Sequence, residues 1–358
     1  MSIEFLFKTD PYSMGIEEKE SFFTPCLREL TKHHYQNCNS YKKMLDGLQF
    51  EIKKDFQYNE IPFIPVRLFK NLDLRSISKE EILKTMTSSG TTGQSVSKIF
   101  LDKETSLNQS KALVVIVSSF LGSRRSPMLI IDSKSVLKDR NMFSARGAGI
   151  LGFSIFGKKV CYALDDDMSL NKERVRQFID ENKGKNIFIF GFTFMVYQHF
   201  IKELRKSDLE LDLGMGVLIH GGGWKKMQSE SITREKFKDE LYELCRIKSV
   251  HDYYGMVEQT GSIYMECEKG NLHASLFSDI IIRNPDDFSI SPIGQKGIIQ
   301  TLSVLPKSYP GHSLLTEDEG TLLGEDDCAC GRLGKYFKIS GRIQEAELRG
   351  CSDTYVEG

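Results

Sequence analysis

Between residues 127 and 254, short apolar runs alternate with amphipathic stretches. Met128–Asp132, Val160–Leu164, Ile187–Phe190 and Val217–His220 are dominated by apolar residues, with Asp132 and His220 polar at the ends of their runs, while Asn171–Asn182 and Arg234–Cys245 carry apolar residues at helical spacing. Apolar runs separated by helix-length segments predict parallel strands covered on both faces by helices. The first 80 residues differ, being aromatic-rich, with helical spacing from Ser21 to about Met44. In Ile61-Pro-Phe-Ile-Pro-Val-Arg-Leu-Phe-Lys70, two prolines fix φ and disfavour helix before them, which predicts an extended strap over the surface. Ile82–Thr87 and Lys98–Asp102 read as strands around a polar loop. From about Asn271 short strands and turns follow: Asp279–Arg283, Gly297–Leu305, His312–Leu315 and Lys335–Ile339. The expected organisation is a helical, aromatic segment over 1–80 packed on the core and an α/β core over 81–270. A β-rich lobe over 271–341 and a tail over 342–358 complete it.

Composition narrows the function classes. With 48 basic and 49 acidic residues, the net charge of −1 offers no bulk attraction to nucleic acid. No apolar run approaches the roughly 18 residues of a membrane span, and the polar opening Met1-Ser-Ile-Glu is unlike a signal peptide. The eight cysteines are scattered, as expected for reduced thiols in the cytoplasm. Cys328-Ala-Cys330-Gly could enter a zinc site, but tetrahedral zinc wants four ligands and no second close pair is present. His312, Cys267 or Cys351 could join only through folding, so a turn carrying a thiol pair is the expectation.

The densest chemistry lies in Thr87-Ser-Ser-Gly-Thr-Thr-Gly-Gln-Ser-Val-Ser-Lys98. Glycines allow close backbone approach, hydroxyls and successive N–H groups donate hydrogen bonds, and Lys98 adds a positive charge, all suited to phosphate. A Walker A loop is excluded, because position 95 is Ser and Lys98 leads into a strand-like run. A polar hairpin loop fits the same residues. Gly221-Gly-Gly223 follows an apolar strand, where ligands of open α/β sheets bind. A lipase oxyanion loop would need a Gly-x-Ser-x-Gly elbow, which this sequence lacks. In His251-Asp-Tyr-Tyr-Gly-Met-Val-Glu, tyrosines can stack on a base and Glu258 can hold a hard cation, although core tyrosines and a solvated Glu fit equally. Leu314-Leu-Thr-Glu-Asp-Glu-Gly reads as an acidic turn in which Asp318 can accept two ribose hydroxyls. In Ile339-Ser-Gly-Arg, Arg342 follows a turn, where it can clamp ribose or phosphate oxygens.

Taken in order, these segments resemble the adenylate-forming superfamily of acyl-CoA ligases, peptide-synthetase adenylation domains and luciferases. Closer resemblance to the LuxE acyl-protein synthetases, relatives of phenylacetate-CoA ligases, is carried by the strap at 61–69, Ser144-Ala-Arg-Gly-Ala-Gly149, Gly191-Phe-Thr-Phe194, Tyr254-Gly-Met-Val-Glu-Gln259 and Arg349-Gly-Cys-Ser-Asp353. The resemblance implies the adenylate-forming large-domain fold, with mostly parallel sheets flanked by helices, a smaller β-rich lobe, and a C-terminal mobile domain reduced or absent. It assigns Ser88, Ser89, Gly90, Thr91, Thr92, Gly93 and Lys98 to ATP phosphates. Gly221, Gly222, Gly223 and Tyr254 would border the adenine, Tyr253 and Gly255 would belong to the same nucleotide site, Glu258 would bind Mg²⁺, and Asp318 and Arg342 would hold the ribose. Apart from the resemblance, the apolar segments that hold Phe192, Phe194 and Gly149 can line an acyl pocket, although apolar residues at a sheet end also fit as core. Most relatives have Thr before the metal-binding Glu, where this chain has Val257.

The implied reaction activates a carboxylic acid, expected to be a fatty acid, as an acyl-adenylate with release of pyrophosphate. Transfer to Cys351 and delivery to an acyl reductase or another acyl-accepting protein would follow. Coenzyme A as acceptor, as in phenylacetate-CoA ligases, and a non-catalytic nucleotide- or acyl-binding subunit are the alternatives.

Overall fold

Strands in chain order are β1 (Ile64–Pro65), β2 (Lys84–Thr87), β3 (Lys98–Leu101), β4 (Ser126–Ser133), β5 (Gly157–Leu164), β6 (Ile187–Phe192) and β7 (Gly216–Gly221). Then come β8 (Ser249–Tyr254), β9 (Tyr264–Glu266), β10 (Leu272–His273), β11 (Ser278–Arg283), β12 (Lys296–Ser303), β13 (Ser313–Glu325) and β14 (Lys335–Arg342). The structure, a computed structural model, describes residues 2–88, 96–137, 145–207, 209–224 and 232–343. These form two compact units, one from the described residues of 2–119 and 254–343, the other from those of 120–253. The units cut the chain at different places from the four segments drawn by composition, because the N-terminal residues pack with the β-rich lobe. No helix among the described residues is long and apolar enough to cross a membrane.

In the 120–253 unit, β5, β4, β6, β7 and β8 pair in parallel in that order. Met128–Ile131 and Ile187–Phe192 are buried on both faces, which is why these runs show no alternation. Helix Lys172–Glu181 starts at Asn171, whose side chain accepts from the Arg174 N–H at 2.9 Å. Helix Arg234–Cys245 is capped likewise by Thr233. After β6, the helix Thr193–Met195 runs through a π-helical stretch, Val196–Ile201, into Lys202–Arg205.

A buried ion pair ties β4 to the helix Ala145–Ser154: Arg146 Nε lies 3.1 Å from Asp132 Oδ2, with side-chain exposures of 10% and 1%. Burial pushes the Asp132 carboxyl up to about 6, against the opposing pull of Arg146. Removing one partner of a buried pair leaves the other charge uncompensated. Arg146→Met is therefore expected to destabilise this unit by about 3 kcal/mol at neutral pH. A raised carboxyl pKa means the proton-bound form suits the fold, and its stabilising effect is lost as pH rises through the folded value. The deficit of Arg146→Met should shrink as pH falls towards 5 and Asp132 takes up a proton, which denaturant melts at pH 5 and pH 8 would read.

The other unit is dominated by antiparallel pairing of β11, β12, β13 and β14, with β10 joining β14 to β9. The helical run expected over 21–44 begins earlier, at Ile16, and breaks at the extended residue Cys38, giving helices Ile16–Asn37 and Asn39–Gly47. The strap is extended only in its proline-bearing half and pairs there: Ile64 and Pro65 lie parallel to Leu314 and Leu315, and the Val66 N–H donates to the Leu315 carbonyl at 2.9 Å, whereas Leu68–Asn71, past the last proline, form a helical turn where extended backbone was expected. Its Ile64 and Phe69 enter a core with Tyr41, Leu74, Ile99, Tyr309 and Leu314.

Two expectations are corrected here. Asp318 does not sit in a turn: the strand expected to stop at Leu315 continues to Glu325, carrying Asp318 within it. Arg342 does not follow a turn but ends β14, directly across from Asp318. Register irregularities at Glu319/Gly320 and Leu322/Gly324 let the ladder absorb this polar run, which hid the strand from an apolar pattern.

Candidate active site

Among the described residues, most of those expected at the nucleotide lie in the 2–119 and 254–343 unit. Cross-strand pairing sets Asp318 opposite Arg342, with Arg342 Nε 3.4 Å from Asp318 Oδ1. The Tyr254 hydroxyl donates to the other carboxylate oxygen at 2.7 Å. Thr316 shapes the backbone beneath, its hydroxyl donating to the Ile299 carbonyl and accepting from the Asp318 N–H. Burial raises the Asp318 carboxyl above its ordinary range, while Tyr254 and Arg342 pull it back. One carboxylate thus stands between a phenol and a guanidinium, which suits the paired hydroxyls of a sugar. The chain leaves β14 along this site, where the Ile343 N–H donates to the Glu317 carbonyl at 3.0 Å.

Glu258 lies on the single turn Val257–Gln259, three residues beyond Gly255, and is only 7% exposed. Burial pushes its carboxyl up, Lys70 acts against that shift, and Glu317 adds to it. Gln259 holds the turn by donating to the carbonyls of Thr301 and Gly311. A single hard carboxylate is the donor set that Mg²⁺ takes when phosphates and water fill the other positions, so the residue fits that ion. Neighbouring Met256 and Val257, like Met86 of the β2–β3 hairpin, pack against the core that includes Ile99 of the same hairpin. That hairpin carries the hydroxyl-rich loop. Its mouth is closed by a reciprocal pair: the Ser88 N–H donates to the Ser97 carbonyl at 3.1 Å, and the Ser97 N–H to Ser88 Oγ at 2.9 Å. Lys98 is exposed on β3 opposite Thr87. The loop leads into a strand, so a Walker A arrangement is absent from this segment. Sequence patterns missed Arg67 and Lys70, which the strap delivers: Arg67 Nε is 3.0 Å from Glu317 Oε1.

The 120–253 unit holds the remaining described positions. Gly221 and Tyr253 are cross-strand partners on β7 and β8. A Cβ at Gly221 would fall 2.5 Å from the Tyr253 ring, so only glycine leaves the ring its place. Gly221→Ala is expected to cost about 1–3 kcal/mol in overpacking, measurable as a lowered Tm. Gly222 has φ +71°, a left-handed turn, and Gly223 is exposed. At Gly149 a Cβ would meet Phe192 Cζ at 2.9 Å, which seats Gly149 against that ring. Phe192 continues an aromatic wall through Phe190, Phe153 and Tyr253, with Phe153 and Phe190 stacked at 4.4 Å. Phe194 is buried in the helical turn after β6. Beside the glycine run, Thr193 Oγ1 lies 2.9 Å from His220 Nδ1, and burial lowers the imidazole to about 3, keeping it neutral. Ser89, Gly90, Thr91, Thr92, Gly93 and Cys351 lie outside the described residues.

A family model described as acyl-protein synthetase, LuxE, matches residues 2–357. The chain belongs to the LuxE family. It is similar to the long-chain-fatty-acid–luciferin-component ligases of Vibrio harveyi, at 22% identity over 98% of this chain and 91% of that protein, and of Aliivibrio fischeri, at 24% over 98% and 92%. Among solved structures, a 2-hydroxyisobutyryl-CoA ligase in complex with an acyl-AMP superposes with a TM-score of 0.70 at 15% identity, covering 93% of this chain and 69% of that one. A long-chain-fatty-acid-CoA ligase from Archaeoglobus fulgidus gives 0.51 at 14% identity, covering 74% and 52%. The LuxE-family chain therefore has the fold of the adenylate-forming ligases and is itself a ligase. Family and fold together support acyl activation through an adenylate.

Proposed function

We propose that this LuxE-family ligase condenses a long-chain fatty acid with ATP and then passes the acyl group to its own Cys351. In the first step a carboxylate oxygen bonds to the α-phosphorus and the bond to the bridging oxygen breaks, releasing pyrophosphate. In the second, the thiolate sulfur bonds to the acyl carbon and AMP leaves with the electron pair. The Tyr254–Asp318–Arg342 constellation carries the proposal, since it supplies a half-buried carboxylate, oriented from both sides, for a ribose. The pinned β2–β3 loop and Lys98 would receive the phosphates. Glu258 would hold Mg²⁺, which when bound supplies neutralisation of phosphate charge. The aromatic wall from Phe153 to Phe192, with Gly149 against it, would receive the acyl chain, in keeping with the long-chain-fatty-acid names of the relatives from Vibrio harveyi and Aliivibrio fischeri. An acyl reductase or similar acceptor would then collect the acyl group.

Pyrophosphate exchange into ATP, measured across a panel of straight-chain acids, tests the first step. Acid-dependent exchange is expected to be strongest with long-chain acids, and no exchange with any acid would refute adenylation. Asp318→Asn removes the charge from two charge-assisted hydrogen bonds. A loss of about 2 kcal/mol should raise the KM for ATP roughly 30-fold while the acid KM changes little.

A further inference from the structure

Folding completes the set of ligands that the Cys328–Cys330 pair lacked. Cys267, at the end of β9, and His273, on β10, meet Cys328 and Cys330 in the connection between β13 and β14. One ligand atom from each lies within 4.8 Å of all the others. Cys267 Sγ and Cys328 Sγ are 4.0 Å apart, and Cys330 Sγ is 3.4 Å from His273 Nε2. Tetrahedral zinc with bonds near 2.3 Å to sulfur puts neighbouring sulfurs about 3.8 Å apart. The observed edges match that spacing.

The backbone around the sulfurs is also built for a cation. Two turns have the same form, each with a left-handed glycine. In Cys267-Glu-Lys-Gly270, the Gly270 N–H donates to the Cys267 carbonyl at 2.9 Å and the Lys269 N–H points at the Cys267 sulfur at 3.4 Å, with Gly270 at φ +77°. In the second turn, the Gly331 N–H donates to the Cys328 carbonyl at 2.9 Å, with Gly331 at φ +82°. There the Arg332 N–H points at the Cys330 sulfur at 3.5 Å. The Asn271 side-chain amide points at Cys328 Sγ at 3.4 Å. Every sulfur therefore receives an N–H, the outer-layer support that metal-bound thiolates use.

We propose that Cys267, His273, Cys328 and Cys330 bind one Zn²⁺ in a closed, structural site. Binding replaces three thiol protons, which leave to solvent, and forms three sulfur bonds and one nitrogen bond. Four protein ligands, three of them buried, leave no open position for a reacting water. Zinc has no redox chemistry of its own, so the group acts as a cross-link between two hairpins. It also secures the N-terminal residues folded over it: the Leu333 N–H donates to the Tyr12 carbonyl at 3.0 Å, and the Arg332 guanidinium lies 5.5 Å from the Tyr12 ring centre. The site is independent of the adenylation proposal.

Metal analysis of the full chain, purified in reductant without chelator, is expected to find about one zinc per chain. Cys328→Ser combined with Cys330→Ser should lose it. If that variant does not fold, the wild-type protein decides: stripped with dipicolinate and given Co²⁺, it should develop the intense visible bands of tetrahedral cobalt thiolate, at one equivalent. Stripping should also lower Tm by about 5–10 °C, reversed by added zinc. Zinc-free protein that takes up no cobalt, a double variant that keeps its zinc, or a Cys267–Cys328 disulfide in the metal-free protein would each overturn the proposal.

Discussion

Cys351→Ser is expected to abolish retention of labelled fatty acid on the protein while leaving pyrophosphate exchange within about twofold of wild type. The two halves of the proposed reaction use different groups, so a lost acceptor should spare the step before it. Wild-type protein given ATP, Mg²⁺ and labelled acid should hold the label after denaturing gel separation and release it to neutral hydroxylamine, as a thioester does. Mass mapping should place it on the peptide containing Cys351. Retention of the label by the serine variant as a hydroxylamine-labile adduct would move the acceptor to another thiol. Complete dependence of turnover on coenzyme A would replace self-acylation by release to a free carrier.

Glu258→Ala is expected to lower pyrophosphate exchange by at least about a thousandfold. A metal ion contributes several kcal/mol of charge stabilisation to a phosphoryl transition state, and each 1.36 kcal/mol is about tenfold in rate. The turn itself should be kept, since Gln259 holds its backbone, while the contact of the carboxylate with Ser97 is lost, so the melting temperature of the variant is read beside its exchange rate. Burial also sets the pH dependence. The Glu258 carboxyl is raised above its ordinary value, so exchange should be present above that raised pKa and fall as pH drops through it. Stability runs the other way, because the protonated form suits a buried site. The contribution of Glu258 to folding is full below the unfolded pKa and is lost as pH rises through the folded one. An acid limb of kcat/KM at the ordinary exposed-glutamate position would contradict this assignment.

The parallel strands were legible because burial on both faces leaves unbroken apolar runs, as in Ile187–Phe190, and the helix Arg234–Cys245 because its spacing and Thr233 cap agree. The strap was legible through its prolines. Its pairing to β13 was not, because Ile64 and Leu314 are far apart in sequence and their register depends on tertiary packing. Asp318 and Arg342 were readable as residues but not in their setting. A polar strand with register breaks looks like a turn to any method that follows hydrophobic alternation. The meeting of His273 with the cysteine pair was hidden because it is long-range: His273, not His312, is brought to the pair by the β10–β14 ladder. His312 instead lies 3.0 Å from Thr31 Oγ1 in the helix Ile16–Asn37.

The Ile343 bond to Glu317 has a kinetic corollary. It ties Ile343 to the backbone of the residue before Asp318, and Cys351 is eight positions further on. Eight residues span at most about 29 Å, so chain length alone sets an upper limit on the distance of the thiol from that anchor. Such a tether gives the acceptor an effective concentration on the order of millimolar when it can span the gap. Self-acylation should then be first order and unchanged on dilution of the protein. Lengthening the segment after Ile343 should slow it gradually, following the confinement volume and not any change in chemistry.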